Sequence, residues 1–203
     1  MTQDSKKPLT IGEANDALKK IFEHECSFPL FDDLATFARR NDSDSFNNDS
    51  YIDAVLLTRY MFNHTNESLC MLTGHGGEID FLKTIEKSFA RMLERIREAG
   101  HSARIVFLAD HIPGFIKEGI FKPFWEDKTL KCCTGRVVGD KPVQHYIVCD
   151  SNMIRIEEPH AGITKDSPIN IIKAKMYFDS KALASAHRNV FDRMWNRLTG
   201  GAK

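Results

Sequence analysis

His75, His111 and His145, with the acidic residues near them, are the side chains of this 203-residue sequence best placed to do chemistry near neutral pH. His145 stands in the run Val143-Gln-His-Tyr-Ile-Val-Cys-Asp150, with Arg155 and Glu157 on the run that follows. An imidazole steadied by a carboxylate can act as a base or a nucleophile, whereas one held in packing does neither. Arg155 and Glu157 alternate on one strand face, so an ion pair, with each other or with the final helix, is their expected use. Gly74-His75-Gly76-Gly77 lies between a strand and a helix N-terminus, where backbone N–H groups and the helix dipole favour an anion. The GxGxxG and GxxxxGK[ST] spacings are absent, and Glu78 and Asp80 would repel a phosphate or cap the helix themselves. Asp110 and His111 follow a strand at its C-terminal end, the edge where open α/β sheets bind ligands. Gathered together, His75, His111, His145 and Asp150 would suit zinc or iron, but no local spacing such as HExxH supports this, so no metal or cofactor is expected. His145, Asp150, His75 and His111 are therefore the catalytic candidates, and Gly76, Gly77, Arg155 and Glu157 the ligand-binding ones.

The stretch from Val143 to Asp150, followed by Ser-Asn-Met-Ile-Arg-Ile-Glu157 and later by Phe191-Asp-Arg-Met-Trp195, resembles the phospholipase D superfamily. In that family a strand carries His, then Lys two residues on and Asp five after that, followed by a hairpin, a strand and a helix. The pattern of elements extends over roughly residues 51 to 198. Aligning Asp150 with the aspartate puts Val143 at the nucleophilic histidine and His145 at the lysine. Starting at His145 puts Ile147 at the lysine and Asn152 at the aspartate, so neither register restores the triad. Valine can neither attack a phosphodiester nor stabilise the charge on a transferring phosphoryl group. The resemblance thus implies a phospholipase D-like domain that keeps the fold and has lost the reaction, acting as a binding or regulatory module. It also implies a homodimer, because active members bring two halves together across a two-fold axis. Two other readings are a phosphodiesterase or nuclease with a rearranged site of His145, Asp150, His75 and His111, and a protein-docking subunit of a larger complex.

The elements that must position these residues follow from patterning. Thr10-Ile-Gly-Glu13 has capping-box spacing and opens a helix with Ala14, Leu18, Ile21 and Phe22 on one face. Residues 32–40 carry a second short helical face, and Asn41 to Ser50 reads as a polar loop or linker. A third helix follows Ser50. Residues 1–50 are accordingly expected to be a helical arm with a polar linker, and 51–203 the α/β domain. Ser68–Thr73 and Ala103–Ala109 are short apolar runs of the kind buried on both faces, and the helix predicted between them, Glu78 to Ala99, implies a right-handed crossover and parallel pairing. Strands are predicted at 129–138, 143–149, 153–157 and 169–178, the second and third joined as a hairpin through Asp150-Ser-Asn152. Phe115 to Trp125 reads as a short helix packed at the sheet edge. Asp179 and Ser180 can cap a last helix whose inward face reads as Leu183, Ala186, Val190, Met194 and Leu198. The fold class is a mixed, mostly parallel sheet flanked by helices.

Composition sets the outer bounds. Basic and acidic side chains number 28 each, so the whole chain lacks the positive excess that drives sequence-independent binding to phosphate backbones. A local basic face would still permit nucleic acid. Cys26, Cys70, Cys132, Cys133 and Cys149 are an odd set without CxxC spacing, as in a reducing compartment. Cys132 and Cys133 are adjacent, so on a strand they point to opposite faces and cannot jointly hold an ion. Met1 to Pro8 is polar with no apolar stretch behind it, and no segment reaches the roughly 18 apolar residues of a membrane span. A cytoplasmic location is the expectation.

Overall fold

The computed structural model describes residues 9–23, 45–74, 81–136, 143–160 and 162–200. The chain begins with α1 (Ile11–Glu23), which is capped as its sequence predicts. The Thr10 N–H and hydroxyl both donate to Glu13 Oε2 at 2.9 Å, and the Glu13 N–H returns a bond to Thr10 Oγ1 at 3.3 Å. Ser45–Asn48 then form strand β1, where composition alone reads loop. The helix expected at 32–40 lies outside the described residues.

Helix α2 (Tyr51–His64) is capped by Ser50, whose hydroxyl oxygen accepts from the Asp53 N–H at 3.1 Å. It is buried almost all round, and Val55, Leu57, Met61 and Phe62 are fully enclosed. Strand β2 (Leu69–Gly74) leads toward the short helix α3 (Phe81–Thr84) and the longer α4 (Glu86–Glu98). The single helix expected here is broken at Ile85, where the Thr84 hydroxyl donates 2.5 Å to Asn15 Oδ1 of α1. Arg95 of α4 donates to the Phe62 and Thr65 carbonyls at the end of α2.

Strand β3 (Ala103–Leu108) pairs with β2 in parallel, as the strand, helix, strand order requires. Two 3-10 turns and the short α5 (Lys122–Glu126) follow, with Phe121 and Phe124 buried and Phe115 and Trp125 packed against the same core. Next come β4 (Leu130–Thr134), β5 (Tyr146–Cys149), β6 (Met153–Glu157) and β7 (Ala174–Tyr177). The expected strand over 169–178 contracts to β7, because residues 169–171 turn as a 3-10 helix. Helix α6 (Lys181–Leu198) ends the fold.

The seven strands form one sheet in the order β1, β7, β6, β5, β2, β3, β4. β2, β3 and β4 are parallel, while β5, β6, β7 and β1 alternate antiparallel, so the sheet is mixed rather than mostly parallel. Helices cover both faces. Leu69, Met71, Ile105, Phe107, Ile147 and Cys149 point into the large core beneath α1, α2 and α4. Cys70, Leu72, Val106, Tyr146 and Val148 point the other way, into a smaller core under α6. Cys132 packs on the first and Cys133 on the second, the opposite orientation their adjacency demands. The face α6 presents is centred on Ala184 and Phe191, with Leu183, Met194 and Trp195 beside them, whereas Val190 and Leu198 are exposed. The aromatic at 191 takes the inward position and rotates the helix away from the stripe expected from its aliphatic residues. No described helix is long and apolar enough to cross a membrane.

Candidate functional site at the carboxyl edge of the sheet

One cross-strand row carries the polar residues that matter most. Asn48 of β1 and Glu157 of β6 both stand opposite Ala174 of β7, and the Glu157 N–H donates to the His145 carbonyl at 2.9 Å, which extends the β5–β6 ladder by one pair. Alternation along β5 and β6 turns His145, Arg155 and Glu157 to the same side of the sheet as Ile147 and Met153, the side of the large core. The row lies where β2 and β6 end and β5 begins, at the carboxyl edge of the parallel strands.

Within the row, every polar atom of the Glu157 carboxylate is engaged. Arg155 Nη1 donates to Oε2 at 2.6 Å, and Oε1 faces His145 Nδ1 at 3.3 Å and His160 Nε2 at 2.5 Å. Arg155 is fixed from its far side by Asn48, whose Oδ1 accepts from Nε at 2.9 Å and Nη2 at 2.7 Å. The two imidazole rings meet edge to face with centroids 5.2 Å apart. Burial alone would raise the Glu157 pKa, but the Arg155 guanidinium and the two histidine contacts together hold the carboxyl well below the usual range. His145 is the most open of the three, with 19% of its side chain exposed against 10% for Glu157 and 9% for His160.

Gly74, the last residue of β2, lies against the His145 ring. A Cβ built there would lie 3.1 Å from His145 Cε1 and 3.3 Å from Nε2, closer than a side chain tolerates without moving the ring.

The other expected site residues lie elsewhere. Asp150 is at the opposite end of β5 from His145, about 16 Å along an extended chain. Its carboxylate accepts the backbone N–H groups of Asn66, Glu67 and Ser68 at 3.1, 2.8 and 3.0 Å, so it ties the β5–β6 hairpin to the segment entering β2. Its φ of 50° is the left-handed conformation that aspartate tolerates in tight turns. His111 is exposed beyond the end of β3, beside an Asp110 that pairs with Arg136 at 3.4 Å on the open surface. His75, Gly76 and Gly77 lie outside the described residues. Of the catalytic candidates among the described residues, His145 alone enters the cluster. His160 was not singled out by sequence reasoning, although its position three residues after Glu157 is a readable signal. Among the described cysteines, burial pushes Cys70, Cys132, Cys133 and Cys149 upward, the last to about 12, away from the thiolate that reacts.

In each register of the sequence resemblance one position is held by a packed apolar side chain, Val143 at the expected histidine in one and Ile147 at the expected lysine in the other. Val143 lies against the smaller core and Ile147 is buried in the larger one.

No family model matches the sequence, and no curated protein matches it. Solved structures do share its fold. TrmBL2, an archaeal chromatin protein with a novel mode of DNA binding, matches over 90% of this chain at 12% identity and a TM-score of 0.57. The phosphatidylserine synthase of Haemophilus influenzae matches over 76% at 10% identity and a TM-score of 0.51. Nuc from Salmonella typhimurium, a phospholipase D family member, matches over 70% at 12% identity and a TM-score of 0.49. The chain spans 62% of the chromatin protein and 38% of the synthase. The chain therefore shares the α/β fold of the chromatin protein and the synthase, and at these identities the likeness extends to the fold alone.

Proposed function

We propose that this chain is a phospholipase D-like binding module without phosphodiester hydrolysis, which receives its ligand at the carboxyl edge beside His145. The observation that carries this reading is apolar packing in both registers, of Val143 where one calls for the nucleophile and of Ile147 where the other calls for the charged partner. Location supports it too, because carboxyl edges of parallel strands are where open α/β sheets bind ligands. The chromatin protein's DNA binding makes a DNA duplex one ligand to test, although 28 basic against 28 acidic side chains favour a small molecule over a polyanion. Incubation with bis-p-nitrophenyl phosphate and with single-stranded DNA, each with and without divalent metal, is expected to give no turnover. Hydrolysis abolished by His145→Ala would overturn the module.

That second outcome corresponds to a distinct reading with its own support. Glu157 faces Nδ1 of His145, and a carboxylate that steadies one ring nitrogen is the support a histidine nucleophile uses.

We further propose a homodimer, on the resemblance to a superfamily whose halves meet across a two-fold axis. Sedimentation at micromolar concentration is expected to give about twice the 23.1 kDa chain mass, and a monomer would remove it.

A further inference from the structure

We propose that His145, Glu157 and His160 form a three-ligand site for a divalent transition-metal ion, zinc by its ligand chemistry, with the fourth position left to water or an anion. Two imidazoles and one carboxylate are a donor set that zinc accepts, and three protein ligands with one open position are typical where the ion meets a ligand. One potential ligand atom from each residue lies within 4.8 Å of the others. Bond lengths of about 2.0–2.1 Å at a tetrahedral ion place ligand atoms roughly 3.3 Å apart. The separation of His145 Nδ1 from Glu157 Oε1 is 3.3 Å. His160 Nε2, at 2.5 Å from the same oxygen, has to draw back by somewhat less than 1 Å, a movement within reach of a side-chain rotation in a residue outside any strand.

The surroundings fit the same reading. Outer contacts in metal sites orient the ligating groups, and here Arg155, itself gripped by Asn48, holds the Oε2 atom and leaves Oε1 as the oxygen both imidazoles face. In the metal-free chain those nitrogens face an acceptor-only carboxylate oxygen as N–H donors, so the ion takes the place of their protons, and each neutral ring keeps a proton on its other nitrogen. Arg155 offsets the carboxylate charge, so a bound dication leaves a positive centre whose open position favours an anionic ligand. The inference does not depend on the module reading, since the ion could serve binding or hydrolysis.

The test is calorimetric titration of the chelator-treated full chain with zinc alone, beside its His145→Ala and His160→Ala variants. One equivalent should bind the native chain, and each variant should lose at least tenfold in affinity while keeping its native circular dichroism. His101→Ala, outside the cluster, should bind as the native chain does. Absence of binding, or binding that both cluster variants retain, would overturn the site. If either variant fails to fold, cobalt replaces zinc on the native chain. Intense visible bands of a tetrahedral ion without thiolate charge transfer would support the site, and thiolate bands or an unchanged spectrum would overturn it. Metal-dependent phosphodiester turnover in the same preparation would refute the module reading and leave the metal site standing.

Discussion

Arg155→Ala is expected to lower the stability of the chain by about 3–5 kcal/mol, because it strands a buried carboxylate whose own desolvation is already unfavourable. Urea unfolding of metal-free protein at pH 7 measures it. Adding Glu157→Gln to Arg155→Met should recover much of the loss, since the amide carries no charge and keeps an oxygen for the histidines. The double change therefore separates the cost of an unpaired charge from the cost of lost packing. Acid should show the same pair in a second way. The Glu157 pKa is depressed in the folded chain, so its contribution is complete above the ordinary glutamate pKa of about 4.3 and is lost as pH falls through the lower folded value. Arg155→Ala should flatten that part of the acid unfolding profile. An unaltered acid limb would mean that Glu157 is not the group responsible.

Phe89→Ala should cost a similar amount, about 3–5 kcal/mol, for a different reason. Phe89 is fully buried and joins three elements, stacking on Phe62 of α2 at 5.3 Å and meeting Phe121 at 5.1 Å. Truncation leaves a void bounded by a helix, a helix and a turn that are each fixed by the sheet. Phe89→Leu should cost clearly less. Equal losses for the two variants would mean that the aromatic contacts, rather than filled volume, dominate there.

The contrast between these two residues also explains what the sequence reveals and what it hides. Strands buried on both faces announce themselves as apolar runs, which is why β2, β3, the β5–β6 hairpin and their parallel or antiparallel senses are legible. The same holds for Arg155 and Glu157, two residues apart on one strand and paired as expected. β1 is not legible, because Ser45-Phe-Asn-Asn48 has the composition of a loop and becomes a strand only through its register with Ala174 to Tyr177. Its one buried side chain, Asn48, holds Arg155 rather than filling a core. His160 is hidden for a related reason, since its position depends on how residues 158–160 turn after β6. The carboxylate of Asp150 misleads in the opposite direction. It resembles a catalytic acid in sequence, yet the hairpin places it where three backbone N–H groups take all it offers.

The bond from Asn48 to Arg155 closes over 107 residues of chain. β1 precedes the other strands in the chain, and its one strand partner among the described residues is β7, so during synthesis that pairing must wait until residue 177 has emerged. The guanidinium of Arg155 likewise has no Asn48 to grip until the two ends of the fold meet. Such a long-range closure carries a larger entropy cost than the local β5–β6 hairpin. The anchor of the histidine and carboxylate cluster thus needs chain segments 107 residues apart, and a truncation that removes β1 leaves Arg155 without it.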